Sequence, residues 1–268
     1  MTQKNYLVIT NIIKTNRVLM KKIWILFFLT FLCIACNNSS YEVSKISAKT
    51  ILLNTETKQD SLIIKTFLPY KNKMIDEISK VISYTPKNLE RTDGKLQSTL
   101  GNLIADLSYE KANELFTKET GKTVDFSMSN YDGIRSGIYK GNVTVSNAFE
   151  LMPFDNTLVV VELTAEKVEE LFEYFVAKNR AHPVSKQVQF IIDNGKYTIK
   201  INGKLLDKNK TYFVATSNYL QKGGDEMNFF AEPESLYDSN FLIRDAINEY
   251  FKSQDTLVSN IDQRIIIK

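Results

Sequence analysis

Histidine is nearly absent from this chain. His182 is the only one among 268 residues. Most hydrolytic metal sites draw on several imidazoles, and a His-based nucleophilic triad needs one well-placed His. A two-metal phosphatase centre built mainly from His and Asp cannot be assembled from these residues alone. Cysteine is almost as scarce. Both, Cys33 and Cys36, lie near the N-terminus, so no disulfide framework is expected in the folded part. An excess of charge is missing too. The 34 basic and 31 acidic side chains leave a net charge of +3, which makes no electrostatic case for a nucleic-acid binder. There is no internal repeat and no low-complexity tract. What remains is an ordinary globular composition, 43% hydrophobic and 24% charged, long enough for one large domain or two small ones.

The N-terminal region has its own pattern. From Met20 the chain reads MKKIWILFFLTFLCIAC, two lysines before an apolar run that ends in Ala35-Cys36. A charged n-region followed by an apolar h-region is a secretory signal. A small residue directly before cysteine resembles a bacterial lipoprotein signal, in which Cys36 would be lipidated and become the first mature residue. The alternative is a membrane-spanning anchor, but the run falls short of the roughly 20 residues a spanning helix needs. Residues 1–36 are therefore expected to form a signal and lipoprotein segment, with Met20 as the candidate true start. Residues 37–60 are polar, lack periodicity and suit a tether. The expected location is the cell envelope, anchored by lipid to a bacterial membrane on its periplasmic or surface face.

Residues 61–268 look folded. A helical stretch is expected from Pro69 to about Ser79 and a strand over residues 81–84. Ser98 or Thr99 would cap a helix whose apolar face holds Leu100, Leu103, Ile104, Leu107, Ala112, Leu115 and Phe116, with Gly121 ending it. Strands are expected over residues 124–128, 143–145 and 158–163. Val168, Leu171, Phe172, Phe175 and Val176 mark a second amphipathic helix capped by Thr164. Asn194-Gly195 between residues 188–193 and 196–201 signals a hairpin, and Asn202-Gly203 another turn. A strand over 211–215, a helix along Leu242–Phe251 and a closing strand over 264–267 complete the chain. Helices and strands mix without strict alternation, which predicts an α+β fold with mixed β-sheets and flanking helices.

Four clusters at strand or helix ends are candidates for chemistry. Ser98–Asn102 opens a helix, where free N–H groups can bind an anion or simply be capped. Asn130-Tyr131-Asp132-Gly133-Ile134-Arg135 ends in a guanidinium, which pairs two-pronged with phosphate or carboxylate, or forms a surface ion pair. Pro153-Phe154-Asp155-Asn156 fixes a ring just before a buried strand, where it could equally be core. Asn218-Tyr219 with Gly223-Gly224-Asp225 combines a ring, a glycine pair that lets backbone approach a ligand, and a carboxylate.

Taken in order, these clusters resemble the C-terminal domain of the 5'-nucleotidase family across essentially all of residues 61–268. Leu100–Asp106 looks like its Leu-Gly-Asn-Leu-Ile-x-Asp helix start, and Asn130–Arg135 like its Asn-Gly-Gly-Gly-Ile-Arg. Pro153–Asn156 looks like Pro-Phe-Gly-Asn, and Gly223–Asp225 like the start of Gly-Gly-Asp-Gly. The resemblance implies a nucleotide-holding domain. Phe154 and Tyr219 would sandwich the base, Asp225 would bond the ribose hydroxyls, and Asn156 the base. Asn130 would join the substrate site, and Arg135 would meet the anionic or ribose side. It also implies that catalysis belongs to a separate metallophosphoesterase domain with two divalent metals, to which this domain swings the nucleotide. The patterns of that domain (Asp-x-His, Gly-Asn-His-Asp/Glu, Gly-His-x-His) are missing from the sequence, so no cofactor is expected on this chain and no residue of it is expected to be catalytic. The family's Arg falls on Gly94, with Arg91 and Lys95 as stand-ins. Its Glu becomes Gln97, and Glu226 replaces a glycine. Tyr131 and Asp132 replace two more, and Asp132 would repel phosphate unless it pairs with Arg135. The expectation is the recognition half of a split 5'-nucleotidase, served by a partner metallophosphoesterase chain. The alternatives are a non-catalytic nucleoside- or nucleotide-binding lipoprotein and a structural remnant.

Overall fold

A computed structural model describes residues 20–28 and 42–268; Cys36 lies outside the described residues. The chain divides into two units, Met1–Gln59 and Asp60–Lys268. In the first, residues 20–28 are helical, while residues 42–59 carry neither helix nor strand. Among the described residues, no helix is long and apolar enough to cross a membrane.

The second unit begins with helix α1, Ser61–Ile78. It starts eight residues before the expected Pro69, because the Asp60 carboxylate accepts from the free N–H groups of Leu62 and Ile63. Strand β1 (Val81–Thr85) follows, then α2 (Thr99–Thr120), capped by Ser98 and ended by Gly121 at φ 73°. Of the strand expected at 124–128 only β2, Phe126–Ser127, is regular. Strand β3 is Gly141–Thr144. Val145, expected to continue it, instead opens a short helix α3 (Val145–Leu151), because Thr144 and Asn147 form a reciprocal capping box. Strand β4 (Thr157–Thr164) leads into α4 (Ala165–Lys178) through the Thr164 cap. Strands β5 (Val188–Asp193) and β6 (Lys196–Ile201) form the expected hairpin, with Asn194 and Gly195 at φ 48° and 77°. Strand β7 (Lys204–Leu205), β8 (Thr211–Ser217) and one-turn helix α5 (Asn218–Gln221) come next. Then follow β9 (Ser235–Leu242), α6 (Ile243–Ser253) and β10 (Ile265–Ile267). Sequence periodicity gives no sign of β9, an edge strand rich in polar residues.

The sheets are ordered β1-β3, β10-β5-β6-β7 and β2-β8-β4-β9. Parallel pairs (β10 with β5, β2 with β8) combine with antiparallel ones, so the fold is α+β with mixed sheets, as the sequence predicts. β4 explains how the core is organised. Leu158 and Val160 face one hydrophobic cluster with α2, α3 and α6, while Val159, Val161 and Leu163 face a second with α4. A strand buried on both faces needs a continuous apolar run rather than alternation. α4 joins the two four-stranded sheets. Phe172, fully buried, lies 6.2 Å from Phe126 of β2 and 4.7 Å from Phe190 of β5, centroid to centroid. At the β10 edge Arg264, 4% exposed, donates to Asp106, Asp262 and the Val184 carbonyl, pinning β10 to α2.

Phe172→Ala removes the ring shared by both sheets. It is expected to destabilise the domain by about 3–5 kcal/mol in denaturant unfolding. A loss below about 1 kcal/mol would mean that the two sheets do not depend on this contact.

Candidate functional site

The direction of three strands assembles the site. β2 runs parallel to β8, with Ser127 opposite Ala215, so both leave the sheet at the same end. β4 runs antiparallel to β8, with Leu158 opposite Ser217, so it enters at that end. Asn130 follows β2, Tyr219 follows β8, and Phe154 and Asn156 precede β4. The Asn218 side chain ties two of these segments by accepting from Thr157 N–H at 3.2 Å.

Asn130, Arg135, Phe154, Asn156, Tyr219 and Asp225 all line one cleft of about 290 Å³, together with Asp132 and Gly133. All six residues singled out from the sequence therefore come together. Asn130 precedes a single 3-10 turn, Tyr131–Gly133. A Cβ on Gly133 would sit 2.5 Å from Asn130 Oδ1, so this glycine cannot be replaced without moving the asparagine. Asn130 Nδ2 donates to Asp225 Oδ2 at 2.6 Å, and the Tyr219 hydroxyl donates to Asp225 Oδ1 at 2.7 Å. The Phe154 ring is half-buried, with the Arg135 guanidinium 5.9 Å from its centroid. The Asn156 carbonyl accepts from Ile243 N–H at the start of α6.

The charges sort differently from the expectation. Asp132 does not pair with the Arg135 side chain. Arg180 takes it at 2.6 Å and Arg91 lies at 3.7 Å. The same two guanidiniums flank the Tyr131 ring, at 5.5 and 4.5 Å from its centroid. Arg91 is thus the stand-in that reaches this region. Among the described residues no carboxylate lies within ion-pair distance of Arg135, whose guanidinium donates only to the Asp132 carbonyl at 3.5 Å. The Ser98–Asn102 cluster does not line the cleft. Ser98 caps Gly101, and Asn102 donates to Gln97 and to the Asn260 carbonyl, so it is a buried structural network.

Three residues next to the cleft carry no sequence signal. Asn179, at φ 47°, turns the chain out of α4 and delivers Arg180 and His182. Tyr174, Arg180 and His182 line a second hollow of about 430 Å³ that shares Asp132 and Asp225 with the first. His182 is 4% exposed, and its Nδ1 accepts from Tyr131 N–H at 3.2 Å, which places the ring proton on Nε2. Burial, helped by the neighbouring Arg180, lowers its pKa to about 4. Among the described residues no group of three or more His, Cys, Asp or Glu side chains could hold a metal ion. His182 has committed its acceptor nitrogen, and Asp132 and Asp225 are engaged by arginine, asparagine and tyrosine, so this donor set does not suit a dimetal centre.

An α+β module that gathers two aromatic rings, a carboxylate and a guanidinium at converging strand ends is the class of protein defined here. The family model described as the 5'-nucleotidase C-terminal domain matches residues 78–232, and the chain belongs to that family. It is 25% identical over 220 residues to Protein UshA of Escherichia coli, covering 78% of this chain and 38% of that one. It is 27% identical over 236 residues to the trifunctional nucleotide phosphoesterase protein YfkN of Bacillus subtilis, covering 81% of this chain and 16% of that one. Among solved structures, the 5'-nucleotidase precursor from Thermus thermophilus matches with a TM-score of 0.63 and 24% identity, covering 77% of this chain and 43% of that one. The chain therefore spans less than half the length of these relatives.

His182 makes stability depend on pH in a definite direction. Its folded pKa of about 4 lies below the ordinary value near 6.5, so between these limits the unfolded chain binds the extra proton. The contribution is fully present above about pH 6.5 and lost as pH falls towards about 4, amounting to about 3 kcal/mol. Urea unfolding across that window should fall more steeply for the native chain than for His182→Gln, which keeps an acceptor for Tyr131. Equal slopes would remove His182 as the source.

Proposed function

We propose that residues 61–268 are a nucleotide-recognition domain that works with a metallophosphoesterase carried on a second polypeptide. The observation that carries this is the convergence of Phe154, Tyr219, Asp225, Asn130, Asn156 and Arg135 on one cleft. A base stacked on Phe154 and Tyr219 gains roughly 1–3 kcal/mol per ring contact and tolerates different bases. Asp225 accepts from the ribose hydroxyls, and the Asn156 amide reads the base edge. Arg135, without a carboxylate partner among the described residues, remains available for the anionic group, while Arg91 is held by the Tyr131 and Ile134 carbonyls beside Asp132. The partner supplies the divalent metals and the attacking water. This chain binds, orients and presents the phosphate ester. The sequence Lys21-Lys22, apolar run, Ala35-Cys36 supports a lipid anchor on Cys36 and a place in the cell envelope.

Calorimetry with adenosine and AMP separates the two halves of the site. Tyr219→Ala should weaken both ligands by roughly 5- to 150-fold. Arg135→Ala should weaken AMP and spare adenosine. The chain alone should release no phosphate from AMP or UDP-glucose with added divalent metal, whereas addition of a metallophosphoesterase that co-purifies with it should restore turnover. Turnover by the chain alone refutes the division of labour. Binding with no such partner to be found supports a non-catalytic nucleoside-binding lipoprotein instead. No binding at all refutes recognition.

A further inference from the structure

Asp225 occupies a backbone position that disfavours it. Its φ is 54° and that of Glu226 is 62°, both in the left-handed region that L residues adopt only at a cost. Side chains from separate parts of the fold hold this turn. The Tyr174 hydroxyl on α4 donates to the Asp225 carbonyl at 2.9 Å, and Lys178 pairs with Glu226 at 2.6 Å. Asn130 holds Oδ2 and Tyr219 holds Oδ1 of the carboxylate. The Tyr219 ring also lies directly against Gly224, where a Cβ would come within 2.5 Å of ring carbons. Ring, turn and carboxylate are therefore one mechanical unit.

Stacking alone does not account for the hydroxyl at position 219, because phenylalanine offers the same face. An ionised carboxylate has about four lone-pair sites. Two are taken by Tyr219 and Asn130, one on each oxygen, which leaves one on each oxygen for the two hydroxyls of a vicinal diol. We propose that the Tyr219 hydroxyl is a positioning group that sets the preference for ribo- over 2'-deoxyribonucleosides, by fixing the Asp225 carboxylate in the orientation that accepts both sugar hydroxyls at once. This rests on the nucleoside-recognition reading above. The hydrogen bond to Asp225 raises the hydroxyl above its ordinary pKa, so it stays a donor throughout neutral pH. Without it, the carboxylate is held through Oδ2 alone and is free to turn away from the diol.

The test is calorimetry of adenosine and 2'-deoxyadenosine with the full chain. The native protein should prefer adenosine. Tyr219→Phe should weaken adenosine about tenfold while leaving 2'-deoxyadenosine within about twofold, because one charge-assisted contact is lost and the stacking face is kept. In an Asp225→Asn background the same substitution should leave the ratio unchanged. If Tyr219→Phe binds with the native ribo-to-deoxy ratio, the positioning role is wrong and nucleoside recognition stands. If the ratio changes as much in the Asp225→Asn background, the hydroxyl acts independently of Asp225 and the proposal is also overturned. If the native chain binds neither nucleoside, the recognition reading fails and this inference falls with it.

Discussion

β2 meets β8 over only Phe126 and Ser127, in parallel, and that direction brings Asn130 and Arg135 to the end of the sheet where β8 delivers Tyr219 and β4 begins. Had β2 run antiparallel, Asn130 and Arg135 would leave at the far end of a seven-residue strand. At about 3.4 Å per residue that is roughly 20 Å away, beyond reach of Tyr219 and Asp225. Two residues of ladder are little to set a direction, and neighbouring bonds reinforce them. Asp125 N–H donates to the Phe213 carbonyl, and the Asp125 carboxylate accepts from Phe213 N–H at 2.8 Å. Ser127 donates to the Ala105 carbonyl of α2 and accepts, through its backbone, from Ser185. Side chains and flanking backbone thus extend what the short strand begins.

The core makes that edge rigid. β4 is covered on both faces, by α2, α3 and α6 on one side and by α4 on the other. Its start carries Asn156, and its end passes directly into α4 through the Thr164 cap. α4 in turn presents Tyr174 and Lys178 to the turn at Asp225 and Glu226. One strand and the helix after it therefore touch the cleft twice, once before β4 and once along α4. Packing that fixes Phe172 between two sheets also fixes Tyr174 two residues on, which ties fold stability to the geometry of the carboxylate.

Much of this is legible in the sequence, for identifiable reasons. Long amphipathic stretches such as Val168–Val176 and the Asn194-Gly195 hairpin carry their own signals, because one face or one turn dominates them. The α+β class follows from helices and strands that mix without strict alternation, and the grouping of Phe154, Tyr219 and Asp225 from the resemblance of the ordered clusters to the family. β9 is invisible, since an edge strand such as Ser235–Leu242 needs little apolar surface and is defined by its pairing with β4. α3 escapes notice because a two-residue reciprocal cap at Thr144 and Asn147 overrides the β-branched run Val143-Thr144-Val145. Arg180 and His182 cannot be placed, because nothing local tells where a loop after a helix will lie, and Tyr174 sits on α4, where periodicity does not tell which distant turn its hydroxyl will meet. The early start of α1 is different, since Asp60 is a cap residue readable in the sequence, and the helix it opens runs on through Pro69.

Asp132 shows why charge should be judged in three dimensions. Beside Arg135 in the sequence, it suggests a pair that would cancel the guanidinium, or a repulsive neighbour for an anion. In the fold the 3-10 turn carries it towards Arg91 and Arg180 instead. Both it and Arg180 are about half exposed, so the pairs themselves add at most about 1 kcal/mol. Their effect is on arrangement. Two cations meet one anion across the faces of Tyr131, which leaves this corner with a surplus positive charge and Arg135 without a carboxylate partner among the described residues. Tyr131 and Asp132 act together. The ring gives the arginines a surface to lie on, and the carboxylate gives them a reason to stay. The anion expected to work against phosphate is thereby neutralised by its own neighbours, and the cleft keeps the exposed guanidinium of Arg135.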